Sequence, residues 1–386
     1  MQIDHLSITF AANLFLMHIL QVTFNLSPGG AERFVVDLSN ELSKTDEVVV
    51  MTILEDLSHP EESQFYLSDL NSNVVYKNLG IAQGGGFSIR VLWRIYKAIK
   101  NEKADIVHLH VHGVVNFCII AIFLLCWSTT IVQTIHTEFS RHDSIVYKFL
   151  FNTIGRLHKM RWVALSKSNY EDMQKAYPFL LSRRIDNGRA PVVPTQSYDK
   201  VKEELRLLKN NEDTKVYLHV ARCIEVKNQQ MLVDAFNQFV QDGHNAILLM
   251  IGSHFDSELG QTIAKSASSS IHFLGTRHNI SDYMLNADCF CLTSIYEGLP
   301  IVILEAMLSG TPVVSTPVKG VLDVIKEGVT GVISKDFTKE EYIRALEYSF
   351  NHLEELRSSS FAEKDKCPYS ITECAKKYRE FYVYEK

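Results

Sequence analysis

The chain has 386 residues, which is enough for two domains of ordinary size. Hydrophobic residues make up 46% of the sequence and charged residues 22%, which is typical of a globular protein and excludes a disordered or fibrous chain. The net charge of −6 argues against general binding of nucleic acid. The seven cysteines are scattered and odd in number, which indicates reduced thiols rather than a disulfide framework.

The sequence shows no recognisable targeting or membrane-spanning segment. The apolar residues between positions 6 and 17 lack the basic leader of a signal peptide. The longest apolar run, at 114–127, contains Asn116 and is too short to cross a bilayer, so it reads as a buried or surface-lying helix. We therefore expect a cytoplasmic protein in which residues 1–16 form an N-terminal extension.

The first half of the chain alternates predicted strands with predicted helices. An apolar strand at 18–24 is followed by the turn N-L-S-P-G-G at 25–30, which contains Gly29 and Gly30, and by an amphipathic helix at 31–42. A strand, a glycine turn and a helix open the α/β domains that bind nucleotides, and an ordinary βα turn is the alternative. Later strands are predicted at 47–52, 74–76, 104–110, 131–135 and 162–165, and an amphipathic helix at 89–101.

Histidines mark the ends of two of these strands. Alternation places His108, His110 and His112 on one side of the fourth strand, but no carboxylate or cysteine nearby supports a zinc site. His136 follows the fifth strand, where a side chain points into the crevice in which α/β folds bind ligands. A purely structural histidine is the alternative at this position.

The alternation starts again after a linker at 189–195. A strand at 216–220 leads to Arg222 and Lys227, two cations that come directly after a buried strand. Solvated loop charges are the alternative, because most Arg and Lys side chains are exposed. Strict strand–helix alternation predicts a parallel, doubly wound sheet. Further strands are predicted at 246–251, 271–274 and 289–292, and closing helices at 339–356 and 371–384.

The most informative stretch is Y-E-G-L-P-I-V-I-L-E-A-M-L-S-G-T-P-V-V-S at 296–315. Pro300 suits the first position of a helix, and Gly310 suits the left-handed position that ends it. The helix between them is apolar on every face except for Glu305, and a buried carboxylate needs a partner. Glu297 precedes the same helix, where free N–H groups favour anions. Two acids at this spacing suggest a polyhydroxylated ligand that carries phosphate, and a merely structural Glu305 is the alternative.

This stretch also carries a resemblance to a known family. The spacing E-x7-E around G-L-P, followed by E-A-M-x-x-G-x-P-V-V, resembles the retaining glycosyltransferases of family 4, which have the GT-B fold and build bacterial capsule, exopolysaccharide or lipopolysaccharide. The resemblance extends from position 18 onward and is strongest over 216–333. It implies an α/β architecture of two Rossmann-like, doubly wound parallel-sheet domains, at 17–190 and 191–370, with a cleft between them. The last helix, at 371–386, is expected to cross back to the first domain.

The resemblance further implies roles for individual residues. Arg222 and Lys227 match the cations of the family's G-R-x-x-x-x-K, with Ala221 in place of the glycine, and are expected on the donor diphosphate. His136 and Glu297 are expected on the sugar. The expected catalytic residues are His136, Arg222, Lys227 and Glu297. The expected donor-binding residues are Gly29, Gly30, Arg222, Lys227, Asn279, Ile280, Glu297, Gly298, Leu299, Pro300 and Glu305.

The sequence thus predicts a retaining glycosyltransferase of surface polysaccharide synthesis. It would move a sugar from a nucleotide-sugar donor, with UDP favoured, to a glycan or lipid-linked acceptor, and nucleic acid is not an expected partner. Neither a metal ion nor a cofactor is expected, because two cations and a helix end can neutralise the departing diphosphate. The alternatives are a sugar-nucleotide epimerase of the same fold and a non-catalytic sugar-nucleotide-binding protein.

A further hypothesis concerns the charge of residues 141–189, which hold ten Lys/Arg against four Asp/Glu. Such a basic segment suggests that the first domain docks on an anionic membrane surface, at the inner face of the cytoplasmic membrane. A solvated basic face is the alternative. The segment contains three clustered cations, three aromatic residues close to them and a later pair of arginines, namely Arg156, Lys159, Arg161, Phe149, Phe151, Trp162, Arg183 and Arg184.

Overall fold

The structure is a computed structural model that describes residues 16–57, 60–83, 88–125, 128–136, 148–149, 151–153 and 160–384. The chain divides into two compact units. Unit 1 comprises Met1–Ala190 and Tyr369–Lys386, and unit 2 comprises Pro191–Pro368. Each unit contains a parallel β-sheet whose strands alternate with helices along the chain, so the predicted fold class is confirmed.

Unit 1 has seven strands within its described residues. They are β1 (His18–Thr23), β2 (Glu47–Glu55), β3 (Val75–Ala82), β4 (Ile106–His110), β5 (Thr130–Ile135), β6 (Met160–Ala164) and β7 (Leu181–Arg184). Their order in the sheet is β3-β2-β1-β4-β5-β6-β7. Before unit 2, the helices whose full extent is described are α1 (Gly30–Leu42), α2 (Pro60–Ser63), α3 (Ile89–Glu102), α4 (His112–Phe117), α5 (Ile119–Leu125) and α6 (Lys167–Ala176).

Unit 2, whose residues are all described, has six strands. They are β8 (Lys215–Val220), β9 (Ala246–Ile251), β10 (Ile271–Gly275), β11 (Cys289–Leu292), β12 (Val313–Ser315) and β13 (Gly331–Ile333), in the order β10-β9-β8-β11-β12-β13. The helices are α7 (Tyr198–Leu208), α8 (Gln229–Gln241), α9 (Glu258–Ser266), α10 (Ile280–Asn286), α11 (Ile301–Ser309), α12 (Lys319–Leu322), α13 (Lys339–Asn351) and α14 (Leu353–Glu363). The chain ends with α15 (Ile371–Val383), which belongs to unit 1.

Burial explains the composition of the central strands. Every residue of β4 and of β9 is buried, as expected for parallel strands that are covered on both faces. β9 is accordingly a continuous apolar run, whereas β4 carries His108 and His110 in its buried interior. Such buried polar side chains need hydrogen-bond partners, so the neighbours of β4 must supply polar groups that a fully apolar strand such as β9 does not need.

Both sheets reverse their strand order beside their first strand. β1 lies between β2 and β4, and β8 lies between β9 and β11. In open parallel sheets, ligands bind outside the carboxyl ends of the strands at such a reversal. The segments that follow β4, β8 and β11 are therefore where a site is expected in each unit.

The region after β4 differs from the prediction. The strand ends at His110, and Val111 turns the chain with a positive φ of 66°. His112 begins α4 instead of continuing along the strand, so the predicted row of three histidines is wrong for that residue. The apolar run predicted as one helix forms the two short helices α4 and α5, with Cys118 between them. Among the described residues, no helix is long and apolar enough to cross a bilayer.

Other differences concern helix ends and short elements. Pro300 caps α11 from the position before its first residue, one position earlier than predicted. The helix predicted at 339–356 divides at His352 into α13 and α14. The prediction omits β7, β13 and α10, because these elements are too short for their apolar residues to form a recognisable periodic pattern. It also omits α7, although Val201 and Leu205 have helical spacing.

Candidate active site

The helix α11 is held at both ends by residues that suit those positions. Pro300 precedes it with φ −68°, and Gly310 follows it with φ 75°, where its N–H bonds back to the helix. A Cβ at Gly310 would also lie 2.9 Å from Cα of Phe361, so both the conformation and the space favour glycine. Glu305 lies on the buried side of α11 with 6% of its surface exposed. The prediction of a buried helix that carries a lone carboxylate is confirmed.

Lys227 and Glu297 form an ion pair at the carboxyl edge of the sheet in unit 2. Lys227 ends a 3-10 turn that follows β8, and Glu297 lies in the loop between β11 and α11. Their side chains are only 22% and 14% exposed. The hydroxyl of Ser294 donates to the same Oε1 of Glu297 at 2.7 Å. This group of three, which we call the Lys227 cluster, combines a cation with an oriented carboxylate.

Backbone contacts hold the two loops of the Lys227 cluster together. The amide of Ile295 donates to the carbonyl of Val226 at 2.9 Å, and the hydroxyl of Thr293 donates to the carbonyl of Lys227 at 2.9 Å. Because β8 and β11 are neighbouring parallel strands, their following loops leave the sheet side by side. Arg222 lies in the first of these loops, and its carbonyl accepts from Nε2 of Gln229 at 2.9 Å.

Two glycines outside the predicted site permit close approach of this backbone. A Cβ at Gly252, which follows β9 with φ 155°, would lie 1.9 Å from the carbonyl oxygen of Ala221. A Cβ at Gly320 in α12 would lie 1.8 Å from the carbonyl oxygen of Gly298. Real Cβ atoms are not found so close to backbone, so a side chain at either position requires the neighbouring loop to move.

Replacing Gly320 with alanine is expected to lower catalytic efficiency about tenfold, because the displaced Gly298 carries the loop of Glu297 with it. Steady-state kinetics measure this loss. Gly328→Ala is the control, since Gly328 has a positive φ of 70° but nothing within 4 Å of its Cβ position. Equal losses in both variants would show that Gly320 does not position the loop.

The structure distributes the remaining predicted residues over both units. Gly298 and Leu299 are buried in the loop before α11. Asn279 caps α10, and Ile280 is the first residue of that helix, after β10. All these lie in unit 2 with Arg222, Lys227, Pro300, Glu297 and Glu305, whereas Gly29, Gly30 and His136 lie in unit 1. Their roles toward a donor stay predictions.

The glycine turn of unit 1 has an ordinary backbone. Gly29 caps α1 in an extended conformation with φ −173°, which any residue can adopt, and Gly30 is the first helical residue. The backbone conformation of Gly29 therefore does not require a glycine at the cap.

A chain of hydrogen bonds, buried at Gln21 and partly buried at its other end, leads to His136. Nε2 of His110 on β4 lies 2.6 Å from Oε1 of Gln21 on the neighbouring strand β1. Nδ1 of His110 lies 3.2 Å from Nε2 of His136, which follows β5. The edge of Phe34 packs on His136 with ring centroids 5.4 Å apart. The network thus joins the strand-order reversal of unit 1 to the histidine that the sequence predicts as catalytic.

The second histidine of β4 ties this network to the C-terminal helix. The ring of His108 lies against that of His110, with centroids 4.0 Å apart and planes tilted by 37°. Its Nδ1 lies 2.7 Å from the hydroxyl of Tyr382, and its Nε2 lies 2.8 Å from that of Thr134. The Thr134 hydroxyl also bonds to that of Tyr378 at 2.9 Å. Among the described residues, no three His, Cys, Asp or Glu side chains are placed to hold a metal ion.

The direction of each hydrogen bond in this network follows from Oε1 of Gln21, which can only accept. Burial lowers the pKa of His110 well below its ordinary value and that of His136 to about 3, so both rings are neutral. Oε1 of Gln21 accepts, so Nε2 of His110 carries a proton and its Nδ1 accepts. His136 then donates from Nε2 to His110 and presents the lone pair of Nδ1. In this tautomer His136 can accept a hydrogen bond from a hydroxyl group.

The predicted membrane cluster at 149–162 is wrong for three of its members. Phe151 and Trp162 are fully buried. Arg161 is 7% exposed, and its Nη1 donates to the carbonyls of Phe381 and Tyr382 in α15. Phe149 is 74% exposed, and Arg156 and Lys159 lie outside the described residues. A sum of charges along the sequence includes buried cations, which cannot contact a membrane. Arg161 is such a cation, because it is buried and binds the C-terminal helix.

The two arginines further along this segment are paired. Arg183 lies 3.8 Å from Glu380, and Arg184 lies 2.7 Å from Asp186. Asp186 is one of the four acids already counted within residues 141–189, whereas Glu380 lies outside the segment and compensates part of its positive excess.

The two doubly wound units, each with a reversal of strand order beside its first strand, define the class of this protein as a GT-B fold. Family profiles agree with this class. The model of the family "Glycosyltransferase Family 4" matches residues 28–191, and that of "Glycosyl transferases group 1" matches residues 201–359. The chain belongs to these glycosyltransferase families.

Individual known proteins show the same relationship. The chain is 26% identical over 276 residues to an Escherichia coli UDP-Gal:alpha-D-GlcNAc-diphosphoundecaprenol alpha-1,3-galactosyltransferase, a match that covers 67% of this chain and 69% of the relative. It is 28% identical over 164 residues to N-acetyl-alpha-D-glucosaminyl L-malate synthase of Bacillus anthracis, spanning 42% of this chain and only 40% of that relative. A crystal structure of Anabaena Alr3699/HepE in complex with UDP and glucose has a TM-score of 0.75 at 19% identity, over 95% of this chain and 99% of that one. This last likeness concerns the fold alone.

Proposed function

We propose that this protein is a retaining, metal-independent glycosyltransferase that moves a sugar from a UDP-sugar to a glycan or lipid-linked acceptor of surface polysaccharide synthesis. The Lys227 cluster carries this proposal, because it places a cation and an oriented carboxylate before α11 at the strand-order reversal of unit 2. The names of two similar proteins support the donor and the acceptor. One transfers galactose from UDP to a diphosphoundecaprenol-linked sugar, and the other binds UDP and glucose.

In the proposed reaction, unit 2 stabilises the negative charge of the departing diphosphate. Lys227, Arg222 and the N-terminus of α11 would neutralise the departing diphosphate, which is why neither a metal ion nor a cofactor is needed. Glu297 would bind hydroxyls of the sugar, and Glu305 those of the ribose. The bond between the anomeric carbon and the β-phosphate oxygen breaks, and the acceptor oxygen bonds to that carbon on the same face. The β-phosphate oxygen takes the acceptor's proton, so UDP and the glycosylated acceptor are the products.

An assay with a panel of UDP-sugars tests this proposal. We expect UDP to form in the presence of EDTA and only when a lipid-diphosphate-linked sugar is added, and NMR of the product should show the donor's anomeric configuration. Loss of turnover in EDTA would overturn the metal-independent mechanism, and an inverted product would overturn retention. Epimerised donor without acceptor would instead support the epimerase, and donor binding without turnover would support a binding protein.

Replacing Glu305 with glutamine is expected to weaken UDP binding by about 1.5–3 kcal/mol, because a buried carboxylate loses its charge-assisted hydrogen bonds. His136→Ala should leave UDP affinity unchanged and lower turnover, since His136 is assigned to the sugar. Isothermal titration calorimetry with UDP compares both variants with the wild type. Unchanged affinity in Glu305→Gln would remove Glu305 from the nucleotide site.

A further inference from the structure

The outward side of α3 forms a surface that the proposed reaction does not use. α3 buries Leu92, Ile95 and Ile99, of which Ile95 and Ile99 belong to the hydrophobic core of unit 1. Its opposite side borders a groove of about 400 Å³. The groove is lined by two apolar and three cationic residues, Ile89, Arg90, Trp93, Arg94 and Lys97. We call this surface the α3 face.

The α3 face exposes large apolar side chains. Ile89 is 61% exposed and Trp93 is 44% exposed. The neighbouring helix α5 packs against α3 and exposes Phe123 by 40% and Leu124 by 48%. Two helices that pack together thus each expose two large apolar side chains, and contiguous exposed apolar surface marks interaction sites.

The charges of the α3 face are almost all positive. The segment 89–103 holds five cations and one acid, namely Arg90, Arg94, Lys97, Lys100, Lys103 and Glu102. Glu102 lies 2.7 Å from Lys77, so its charge is already compensated. No acid is among the residues that line the groove. This local excess stands out in a chain whose net charge is −6.

We propose that the α3 face docks on an anionic lipid bilayer. Lys and Arg bind anionic headgroups, and a tryptophan prefers the interface between headgroups and acyl chains. Ile89 and Leu124 fit the boundary of the acyl chains, which a bilayer offers directly beneath its anionic headgroups, whereas the backbone of a nucleic acid offers them no apolar partner. A helix whose inner face is anchored in the core can present these groups without unfolding.

Flotation of the full chain with vesicles tests this proposal without any sugar donor, so its outcome does not depend on the proposed reaction. We expect binding to phosphatidylglycerol–phosphatidylcholine vesicles at low salt, weaker binding at high salt, and none to pure phosphatidylcholine. The triple variant R90E/R94E/K97E should bind at least 10²-fold more weakly, at about fivefold for each cation lost. The control is K200E/K202E/R206E, which makes the same charge change on the exposed side of α7 in unit 2 and should bind like the wild type.

Bromine-labelled lipids provide a second measurement. They should quench the fluorescence of the wild type, and Trp93→Phe should remove most of that quenching while the protein still floats. The proposal is overturned if the wild type fails to float with anionic vesicles at low salt. It is also overturned if the α3 triple variant floats as the wild type does, or if its only change is the loss of a dimer in analytical ultracentrifugation, which would make the face an interface between two copies.

Discussion

Replacing Lys227 with methionine is expected to lower kcat/KM for sugar transfer by about 10²- to 10³-fold, the usual effect of removing one stabilising group from a departing anion. Methionine keeps much of the apolar stem of lysine and removes the charge. The diphosphate would lose a cation, and Glu297 would keep only the Ser294 hydroxyl of the two side-chain partners in the Lys227 cluster. Since these side chains are 22% and 14% exposed, water replaces the lost charge poorly.

Lys215→Met is the matched control for this variant. Lys215 begins β8 at the edge opposite to Lys227, and its ammonium lies 3.7 Å from Glu354, which is 86% exposed. A surface pair of this kind contributes little, so kcat/KM should change by no more than about twofold. Steady-state kinetics and calorimetry with UDP should be run on both variants. Wild-type kcat/KM in a well-folded Lys227→Met would remove Lys227 from the reaction.

The helix α11 shows what local sequence determines. A proline that suits a helix start and a glycine that suits a left-handed end bracket a run of apolar residues, and both ends lie at Pro300 and Gly310 in the structure. Each of these signals depends on neighbouring residues and on backbone conformation alone. The same holds for the strands, whose apolar runs and following glycines are visible without any knowledge of distant contacts.

The positions that support the site could not be found this way. Gly320 is needed because the carbonyl of Gly298 approaches it, and nothing near Gly320 in the sequence reveals that approach. Ser294 was visible as a hydroxyl three positions before Glu297, but its bond to that carboxylate depends on how the loop folds. Gln21 bonds to a histidine 89 residues later in the chain. Close approaches between distant segments belong to tertiary structure.

The histidines of β4 could be predicted in part: their position on the strand follows from local sequence, and their partners do not. Strand alternation correctly placed His108 and His110 on one side, and their rings are 4.0 Å apart. Alternation did not reveal that their partners come from Gln21, Thr134 and the C-terminal helix. Two buried imidazoles without those partners would be unsatisfied, and the partners come from strands and a helix that are distant in the sequence.

The stability of unit 1 is expected to fall steeply as the pH drops below about 6.5. Burial holds the pKa of His108 and of His110 well below its ordinary value and that of His136 at about 3. Between these values, the unfolded chain binds protons that the folded chain does not, so the free energy of unfolding decreases with falling pH. For His136, with its pKa at about 3, the loss is about 1.4 kcal/mol per pH unit, or about 2 kcal/mol by pH 5. His108 and His110 add losses of the same sign, which are large against the 5–15 kcal/mol that is about the whole stability of an ordinary domain.

Intrinsic fluorescence isolates this effect, because the three tryptophans of the chain, Trp93, Trp127 and Trp162, all belong to unit 1. Urea unfolding should be followed by this signal at several pH values. His136→Gln removes one titrating ring and keeps an amide that can donate to His110, so it should lose about 2 kcal/mol less than the wild type on acidification. His18→Gln removes a histidine of unit 1 outside the network and should behave as the wild type does. If His136→Gln loses as much stability as the wild type, His136 is not held neutral in the folded chain.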